Sequence, residues 1–463
     1  MPGWEDLENL IKHEFIESKE EGKCPDALAS LEHEFAAIGN DSARLTALHK
    51  RLLAAPMRKD FPFREPSDLE TIRALRPSDR PGLSTAFDDD ELADKMHGAW
   101  LGRCAGCALG KPVETIGIMS DKAPAWRALK RYLTAISPDE WPLRDYFPRH
   151  SPAESEMPAI SSEPSTREHI AFMETDDDIR YTVLGQVLLR QYGAAFTTAD
   201  LAGLWFARLP YRSVCTAETQ AYRNLVLEAV FHPVPPAPYF RDNWDWVATH
   251  LNPYREWIGA QIRADSYGYA APGRPELAAE LAWRDARLSH VKNGIYGSMF
   301  CAAMIAASFA TNDVRTIIEA GLGEIPATSR LCHDMRNVIA ICDRHGCDFA
   351  KFETIFEEVY ALFEPYSKIH TINNAGLCVV ALLLSGGDFH KAITTAVMGG
   401  WDTDCNGATV GSIVGAITGA RLAPSHWTAR LNDTLNSEII GYHPIAISEC
   451  SRRGVAIARK IAS

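Results

Sequence analysis

The sequence lacks the features that mark several large classes of protein. Its longest uncharged run, about residues 293–312, is rich in Gly, Ala and Ser, so it predicts a buried core helix rather than a membrane span. Basic residues are too few for an extended nucleic-acid surface or an acidic membrane partner, because the formal net charge is −13 and the pI is about 5.6. The first residues are acidic without an apolar segment, so we expect no signal peptide.

Cysteine usage does not indicate a disulfide framework. The chain has eleven cysteines, an odd number at irregular spacings, and many lie in apolar runs, as Cys301 and Cys378 do. This pattern is typical of reduced, buried thiols, so we predict a cytoplasmic protein. Cys104 and Cys107 form a lone CxxC motif without the second pair that a structural zinc site needs.

Several common catalytic motifs are also missing. The chain has no Gly-x-Ser-x-Gly nucleophile elbow, no phosphate-binding P-loop and no convincing dinucleotide fingerprint. Few segments alternate with the period of two that is typical of strands, whereas apolar residues recur at helical spacings through most of the chain. We therefore predict an all-α fold.

Composition divides the chain into two parts. Residues 1–55 are charged, with apolar residues at helical spacings, and a connector punctuated by prolines follows them. We predict an N-terminal helical extension with its connector at residues 1–87 and one large helical domain at residues 88–463. Six prolines within residues 137–165 predict a surface insertion or lid in that domain.

Glycine recurs at every fourth position in two segments. The positions are Gly98, Gly102, Gly106 and Gly110, and Gly407, Gly411, Gly415 and Gly419. In a helix, each set lies along one ridge. A glycine inside a helix costs roughly 0.5–1 kcal/mol relative to alanine, so each ridge needs a compensating reason, such as close packing of two backbones. The ridges either pack together or flank the same centre, and packing without any chemistry also explains both.

Two acidic clusters occur in the chain. Asp402 and Asp404, two positions apart in a segment that we expect to be extended, point to the same side of the backbone and can converge on one cation. Upstream, Asp176–Asp178 follow Thr175, which we predict to be the N-cap of an amphipathic helix. Acids in a first helical turn commonly stabilise the helix dipole, but three in succession repel one another. We predict that the clusters meet around Mg²⁺, Mn²⁺ or Ca²⁺.

Two other motifs in the chain resemble known metal sites. Asp402-x-Asp404 begins like an EF-hand loop, but Ile413 stands where that loop needs a bidentate Glu, which excludes it. His333 and Asp334 together resemble the His-Asp pair of a metal-dependent phosphohydrolase, which is also all-helical. That chemistry needs further His and Asp ligands, for which the sequence gives only loose candidates.

Two helix beginnings are candidates for substrate binding. His290, Asn293 and Gly294 precede an Ala-rich helix whose N-terminal amides could hold a ligand phosphate. Asn373 begins another apolar helix in the same way. The alternative in both cases is a helix cap followed by a tightly packed helix.

Three motifs, taken in their order, resemble those of the ADP-ribosylglycohydrolase family. That family includes dinitrogenase-reductase-activating glycohydrolase, ADP-ribosyl-arginine and ADP-ribosyl-serine hydrolases, and the J1 crystallins. Residues 98–114 resemble its first helix with a terminal Glu, residues 175–178 its Thr-Asp-Asp-Thr motif, and residues 399–406 its Gly-Gly-Asp-Thr-Asp-Thr/Ser motif. The resemblance covers about residues 92–455.

The resemblance implies a single large orthogonal helical domain with two Mg²⁺ or Mn²⁺ ions at the base of an ADP-ribose cleft. Carried over by position, the metal ligands are Thr175, Asp176, Asp177, Asp402 and Asp404. The resemblance also places Glu114 beside the metals, near the scissile bond. Glu114, Asp176 or Asp177 would then give general acid or base assistance.

The chain departs from the family motifs at two positions. Asp178 stands where the family has its second Thr, which predicts a more acidic site. Cys405 occupies the position of the usual hydroxyl ligand, and a thiol is a poor partner for a hard cation. Cys405 therefore predicts a metal position that is weaker, filled by water or biased towards Mn²⁺.

The resemblance thus implies a hydrolase that cleaves a glycosidic bond and releases ADP-ribose from an ADP-ribosylated protein, nucleic acid or small molecule. Two alternatives stay open. A metal-dependent phosphohydrolase would cleave the pyrophosphate instead. The second alternative is a non-catalytic protein that binds ADP-ribose or has a structural role, because the crystallins keep the fold without catalysis.

Overall fold

The computed structural model describes residues 6–120, 124–230 and 239–462. Over these residues the fold is all-α, which confirms the predicted fold class. Residues 1–5 of the predicted helical extension lie outside the described residues. None of the described helices is both long enough and apolar enough to cross a bilayer.

The α-helices follow one another with short connections. In chain order they are α1 Leu7–Glu20, α2 Pro25–Ile38, α3 Ser42–Leu53, α4 Leu69–Ala74, α5 Asp89–Gly110, α6 Glu114–Met119, α7 Ala125–Thr134, α8 Asp177–Tyr192, α9 Thr198–Arg208, α10 Thr216–Glu228, α11 Trp244–Thr249, α12 Asp265–Ala270, α13 Pro275–Ala286, α14 Lys292–Ser308, α15 Val314–Leu322, α16 Arg330–Arg344, α17 Phe352–Leu362, α18 Thr371–Ser385, α19 Phe389–Met398, α20 Thr403–Thr418, α21 Ser425–Thr428 and α22 Ile447–Ala462.

Short 3₁₀ turns and two small hairpins complete the described structure. The 3₁₀ turns are Lys111–Val113, Pro138–Glu140, Glu154–Glu156, Gly193–Ala195, Tyr211–Ser213, Ile258–Arg263, Phe349–Lys351 and Ala429–Leu431. The strands are β1 Ala229–Val230, β2 Tyr239–Phe240, β3 Thr434–Leu435 and β4 Ile445–Ala446. β1 pairs with β2 and β3 with β4, both antiparallel, with Ala229 opposite Phe240 and Thr434 opposite Ala446.

Helices α5 and α20 pack against each other along the two glycine ridges. A Cβ atom on Gly102 would lie 2.0 Å from the Gly411 carbonyl oxygen, and one on Gly106 would lie 1.9 Å from the Gly407 oxygen. The pairing continues in antiparallel order to Gly98 and Gly415. The two backbones are therefore in direct contact. This is the alternative in which the two glycine ridges pack together.

The remaining core surrounds this pair. Helix α14 is buried from residue 293 to its end, and α18 is buried along its whole length. Both sequences are apolar on all sides, which is typical of a helix without a solvent face. The uncharged run at 293–312 thus forms most of a core helix, as predicted.

The N-terminal helices have a small core of their own. Apolar residues of α1, α2 and α3, including Ile11, Phe15 and Leu48, form a cluster separate from the main core. Leu10 lies on another side of α1 and packs against Tyr254 and Trp257 of the main body. The extension is thus packed on the body through α1, while the domain boundary after residue 87 stays a prediction.

The segment at residues 137–165 is anchored more firmly than a surface insertion needs. Tyr146 and Phe147 are fully buried, and the Tyr146 hydroxyl donates to the Trp427 carbonyl at 2.6 Å. Near its end, the Ser161 amide donates to the Pro112 carbonyl at 2.8 Å. The segment therefore supports the chain that leads out of α5.

Replacing Gly106 by alanine is expected to destabilise the protein by about 3 kcal/mol or more, because the new methyl group would meet backbone that cannot move independently. Urea unfolding measures this change. Gly203→Ala is the matched control, since Gly203 lies in α9 and its Cβ would meet nothing within 4 Å. That variant should gain roughly 0.5–1 kcal/mol. Unchanged stability of Gly106→Ala would contradict the backbone contact.

Candidate metal centre

Glu114 is positioned by the end of α5. The helix ends at Gly110, the 3₁₀ turn Lys111–Val113 follows, and Glu114 begins α6. The hydroxyl of Thr403, the first residue of α20, donates to the Gly110 carbonyl at 2.8 Å. The end of α5 and the beginning of α20 are therefore joined, and Glu114 lies beside the second acidic cluster.

Asp176, rather than Thr175, caps α8. Its Oδ1 accepts a hydrogen bond from the Asp178 amide at 3.0 Å, and its Oδ2 accepts one from Lys111 Nζ. The prediction that Thr175 is the N-cap is wrong, because α8 begins one residue later than the capping pattern implied. The Thr175 hydroxyl instead accepts from Arg180 Nη2 at 3.1 Å.

Two residues with positive φ lead the chain into α20. They are Gly400, with φ of 81°, and Trp401, with φ of 54°. Positive φ is unfavourable for a bulky residue, so other contacts must stabilise this turn. The Trp401 ring stacks on Tyr360 with centroids 4.3 Å apart, and the Tyr360 hydroxyl donates to the Gly399 carbonyl at 2.7 Å. These contacts fix the turn that presents Asp402.

Asp402 and Asp404 converge, but not through the extended segment that the sequence predicts. Asp402 precedes α20 and Asp404 lies in its first turn, so both side chains are at the same end of one helix. Ligand atoms of Asp402, Asp404 and Cys405 lie within 4.8 Å of one another. Asn374 Oδ1 supports this turn by accepting from the Asp402 amide at 3.2 Å and from Asn406 Nδ2 at 2.9 Å.

The structure brings the two acidic clusters together. Ligand atoms of Cys107, Asp176, Asp178 and Asp404 lie within 4.8 Å of one another. Asp402 Oδ1 and Asp404 Oδ1 are buried without a hydrogen-bond partner among the described residues. A buried carboxylate oxygen without a partner is costly, and a hard divalent cation would satisfy it. The donor set therefore fits Mg²⁺ or Mn²⁺.

A cavity of about 420 Å³ opens onto these carboxylates. The predicted site residues that line it are Glu114, Thr175, Asp176, Asp177, Asp402, Asp404 and Cys405. Its apolar lining is Ile118, Trp257, Ile258, Ile262 and Ile369. Arg180 and Arg212 also line it, and exposed Arg212 forms no hydrogen bond or ion pair with any described residue. The cavity thus combines acidic, apolar and cationic surfaces.

Burial and neighbouring charge move the carboxyl pKa values in opposite directions. Burial, reinforced by Asp402 and Asp176, raises the pKa of Glu114 to about 8. Burial, reinforced by Asp176, raises the pKa of Asp177 to about 7. Burial also opposes ionisation of Asp176, but the ion pair with Lys111 outweighs it and lowers the pKa of that carboxyl. The two carboxyl groups therefore differ in acidity, since the pKa of Glu114 is raised and that of Asp176 is lowered.

Asp178 is fully buried outside the cavity lining. Arg103 Nη2 donates to its Oδ1 at 3.1 Å and to its backbone carbonyl at 2.8 Å. The same guanidinium contacts Asp265 Oδ2 at 2.8 Å. One guanidinium is thus shared by the carboxylates of Asp178 and Asp265, and the more acidic site stays a prediction.

All eleven cysteines are free. Cys104 and Cys107 are buried on α5, and burial raises the pKa of both thiols. No second cysteine pair joins them in a group of potential metal ligands among the described residues, and Cys107 is instead grouped with Asp176, Asp178 and Asp404. Cys405 lies in the cavity lining, and burial raises its pKa, so it presents a neutral thiol to the cavity.

The four predicted substrate-binding residues lie behind the cavity wall. His290 Nδ1 is bonded to the hydroxyl of the preceding serine at 2.8 Å, and Asn293 donates to Glu256 at 2.8 Å. Asn373 donates to a backbone carbonyl, and a Cβ on Gly294 would meet another at 2.5 Å. The structure does not bring these residues into the lining, because the first turns of α14 and α18 are buried in the protein interior.

The His-Asp pair of the phosphohydrolase alternative lies elsewhere. His333 is exposed and its ring packs against Phe63, with centroids 5.5 Å apart. Asp334 accepts a hydrogen bond from the Tyr366 hydroxyl at 3.2 Å. Neither residue joins a group of potential metal ligands within the described residues.

Several residues of the cavity lining were not predicted from the sequence. Arg180 lies four positions after Asp176 in the same helix, so helical spacing could have indicated it. Arg212, Trp257 and Ile369 belong to segments without a recognisable motif. They reach the cavity through tertiary packing, for which no local pattern is a signal.

Comparison with known proteins gives one family. The family described as ADP-ribosylglycohydrolase matches residues 88–451. One similar solved structure is named an ADP-ribosylglycohydrolase-related protein complex. It is 19% identical, the match covers 80% of this chain and 99% of that chain, and the TM-score is 0.47. No curated protein matches the chain.

Replacing Arg103 by methionine is expected to destabilise the protein by about 3–5 kcal/mol, because Asp178 and Asp265 would both lose their buried counter-charge. Asp178→Asn is the matched comparison, since in this variant the Arg103 guanidinium still pairs with the Asp265 carboxylate. That variant should change the free energy of unfolding by less than about 1 kcal/mol, the net value of one hydrogen bond. Chemical denaturation measures both, and equal effects would contradict the assigned role of Arg103.

Proposed function

The chain belongs to the ADP-ribosylglycohydrolase family, and from that premise we propose that it is a metal-dependent hydrolase acting on ADP-ribosyl conjugates. The reaction would break the glycosidic bond at the distal ribose and release ADP-ribose. The observation that carries this proposal is the convergence of two distant acidic clusters beneath one cavity, with buried oxygens of Asp402 and Asp404 left without partners.

The proposed cation ligands are the hydroxyl or carboxylate groups of Thr175, Asp176, Asp177, Asp402 and Asp404. All five line the cavity, and oxygen ligands suit Mg²⁺ or Mn²⁺. Such cations, when bound, orient hydroxyl groups of a substrate and lower the pKa of a bound water. Each oxygen of Asp176 accepts one hydrogen bond, from Lys111 or from the Asp178 amide, and keeps a second lone pair that can bind a cation.

The carboxyl groups with opposite pKa shifts are the candidates for proton transfer. Glycosidic cleavage passes through a transition state with positive charge on the sugar, and the leaving group must gain a proton. Glu114 lines the cavity beside the proposed cation ligands, and burial raises its pKa, so we assign it the role of proton donor. Asp176, whose pKa the ion pair with Lys111 lowers, supplies negative charge that favours the developing cation.

The rest of the lining suits a sugar phosphate. Arg212 is exposed without a partner among the described residues, and Arg180 lies beside Thr175. Guanidinium groups bind phosphate through two parallel hydrogen bonds. Trp257 and Ile369 provide an apolar surface for the less polar parts of a ligand. We therefore place the diphosphate near the arginines and the scissile ribose above the carboxylates.

Asp402→Asn and Asp404→Asn are expected to lose cation binding and to reduce release of ADP-ribose at least 100-fold, because a neutral amide cannot replace a carboxylate ligand of a catalytic metal. Chromatography of products from ADP-ribosylated proteins, nucleic acid and small conjugates measures turnover. EDTA should abolish it, and added Mg²⁺ or Mn²⁺ should restore it.

Asp334→Asn is the control for these variants, since Asp334 is buried outside the cavity. It should keep both cation binding and turnover. AMP as the product would favour the phosphohydrolase alternative. Binding of ADP-ribose without any product across the panel would favour a non-catalytic ADP-ribose-binding protein.

Cys405→Ser is expected to shift the metal preference from Mn²⁺ towards Mg²⁺, because a hydroxyl is a harder ligand than the buried neutral thiol. The ratio of turnover with Mg²⁺ to turnover with Mn²⁺ measures the shift. Cys104→Ser is the matched control, since Cys104 is also buried but belongs to no group of potential metal ligands among the described residues and does not line the cavity. An unchanged ratio in Cys405→Ser would show that this side chain does not influence the metal.

A further inference from the structure

A second group of buried acidic residues lies where α1 meets the main body. Glu17 and Glu20 lie in the last turn of α1 and Glu21 directly follows it, so that Glu17 is three and four residues from the other two. Ligand atoms of Glu17, Glu20 and His370 lie within 4.8 Å of one another, and so do those of Glu17, Glu21 and Glu256. Glu17 is common to both groups and is 1% exposed.

The cationic side chains around this group do not balance its charge. Arg255 forms ion pairs with Glu14 and Glu21 at 2.7 and 3.1 Å but approaches Glu17 only to 3.7 Å. The ion pairs of the network join four cations, Lys23, Arg255, Lys292 and Arg330, to the carboxylates Glu14, Glu17, Glu21, Glu65 and Glu256. Glu20 adds a sixth carboxylate, which leaves two more negative than positive charges.

Unpartnered polar atoms coincide with this excess of charge. Both carboxylate oxygens of Glu17 and Glu20 Oε2 are buried without a hydrogen-bond partner in the described part of the chain. His370 Nε2 is also buried without a partner there, and the residue is 0% exposed. His49 lies 3.8 Å from Glu14, so its protonation would reduce the excess to one charge without reaching Glu17.

We infer that a divalent cation binds between Glu17 and Glu20, with Glu21 or Glu256 as a further ligand, and joins the N-terminal extension to the catalytic body. Two positive charges would balance the network, and carboxylate oxygens are hard ligands. The closed, buried setting favours Ca²⁺ or Mn²⁺ over Mg²⁺, which retains water ligands.

His370 has a supporting role in this site. Its Nδ1 accepts a hydrogen bond from the Ile372 amide at 3.2 Å, so the neutral ring carries its proton on Nε2. In this tautomer Nε2 is a donor and not a ligand. It can orient a carboxylate oxygen of Glu17 or Glu20, and the cation is held by oxygen atoms.

The inferred site shares a wall with the catalytic cavity. Trp257 pairs with His370 in an antiparallel bridge, and the Ile258 amide donates to the Ile369 carbonyl at 3.0 Å. Trp257, Ile258 and Ile369 line the cavity, while Glu256 and His370 face the acidic group behind it. A cation at Glu17 would therefore hold the back of the cavity wall against α1.

Metal content tests this inference in the Asp402→Asn/Asp404→Asn double variant, which removes the proposed catalytic ligands. After incubation with CaCl₂ or MnCl₂ and gel filtration, elemental analysis should find about one cation per chain, as expected for a single closed site. Glu17→Gln in this background should lose that cation. Glu8→Gln should keep it, because Glu8 is exposed on the same helix and pairs with Lys12. Should Glu17→Gln fail to fold, Glu20→Gln makes the same comparison.

Thermal unfolding separates a bound cation from bound protons. Adding Ca²⁺ or Mn²⁺ to the chelated background variant should raise its Tm by about 2–4 °C, and Glu17→Gln should remove that rise. If the carboxyl groups are simply protonated, Glu17→Gln changes no metal content and melts at or above the Tm of the background. That result, or equal metal content in both proteins, would overturn the inference. An anomalous difference peak between Glu17 and Glu20 in a Mn²⁺-soaked crystal would support it directly.

Discussion

The contact between the backbones of α5 and α20 is the constraint on which the site depends. Without Cβ atoms along the two ridges, carbonyl oxygens of one helix lie where side chains of the other would be. Because the two helices are antiparallel, this packing also determines which of their ends lie next to each other. The last turn of α5, which leads to Glu114, lies beside the first turn of α20, which carries Asp404. The carboxylates meet because the helices that carry them pack backbone to backbone in this register.

Such a concentration of buried negative charge requires positive counter-charges. The protein places them at two depths, at the cavity and beneath it. Lys111 pairs with Asp176 at the cavity, and Arg103 pairs with Asp178 and Asp265 beneath it. Fixed cations cover only part of the charge, and the oxygens of Asp402 and Asp404 stay unsatisfied. Incomplete internal compensation of this kind favours the binding of an external cation. The junction between α1 and the main body follows the same rule with different residues.

The sequence predicted the parts of this arrangement that depend on local pattern. Helical periodicity gave the all-α fold, and the four-residue glycine spacing gave two close-packed ridges. The acidic clusters could be recognised because three adjacent aspartates exceed what a helix cap needs. Their exact backbone setting was less predictable. A spacing of two suggested an extended segment at Asp402, whereas positive φ at Trp401 places Asp404 in a helical turn instead.

The cavity walls could not be predicted in this way. Trp257, Ile369 and Arg212 come from segments whose composition is ordinary, and only tertiary packing assembles them. The helix beginnings at His290 and Asn373 show the reverse case. Their polar residues and glycines match a phosphate-binding pattern, but the same residue types also satisfy buried helix ends. Local sequence does not distinguish these two uses, since the difference lies in which neighbours cover the helix end.

The pairing of α5 with α20 also has a consequence for how the protein folds. Thr403 and Gly110, which join the two halves of the site, are 293 positions apart in the chain. During synthesis, α5 is therefore complete long before the helix that must cover its glycine ridge exists. Contacts between such distant segments form late, because the entropy of closing a long loop must first be overcome. We conclude that the candidate metal centre is among the last parts of the molecule to assemble and that a chain ending before α20 would expose the bare glycine ridge as a surface for aggregation.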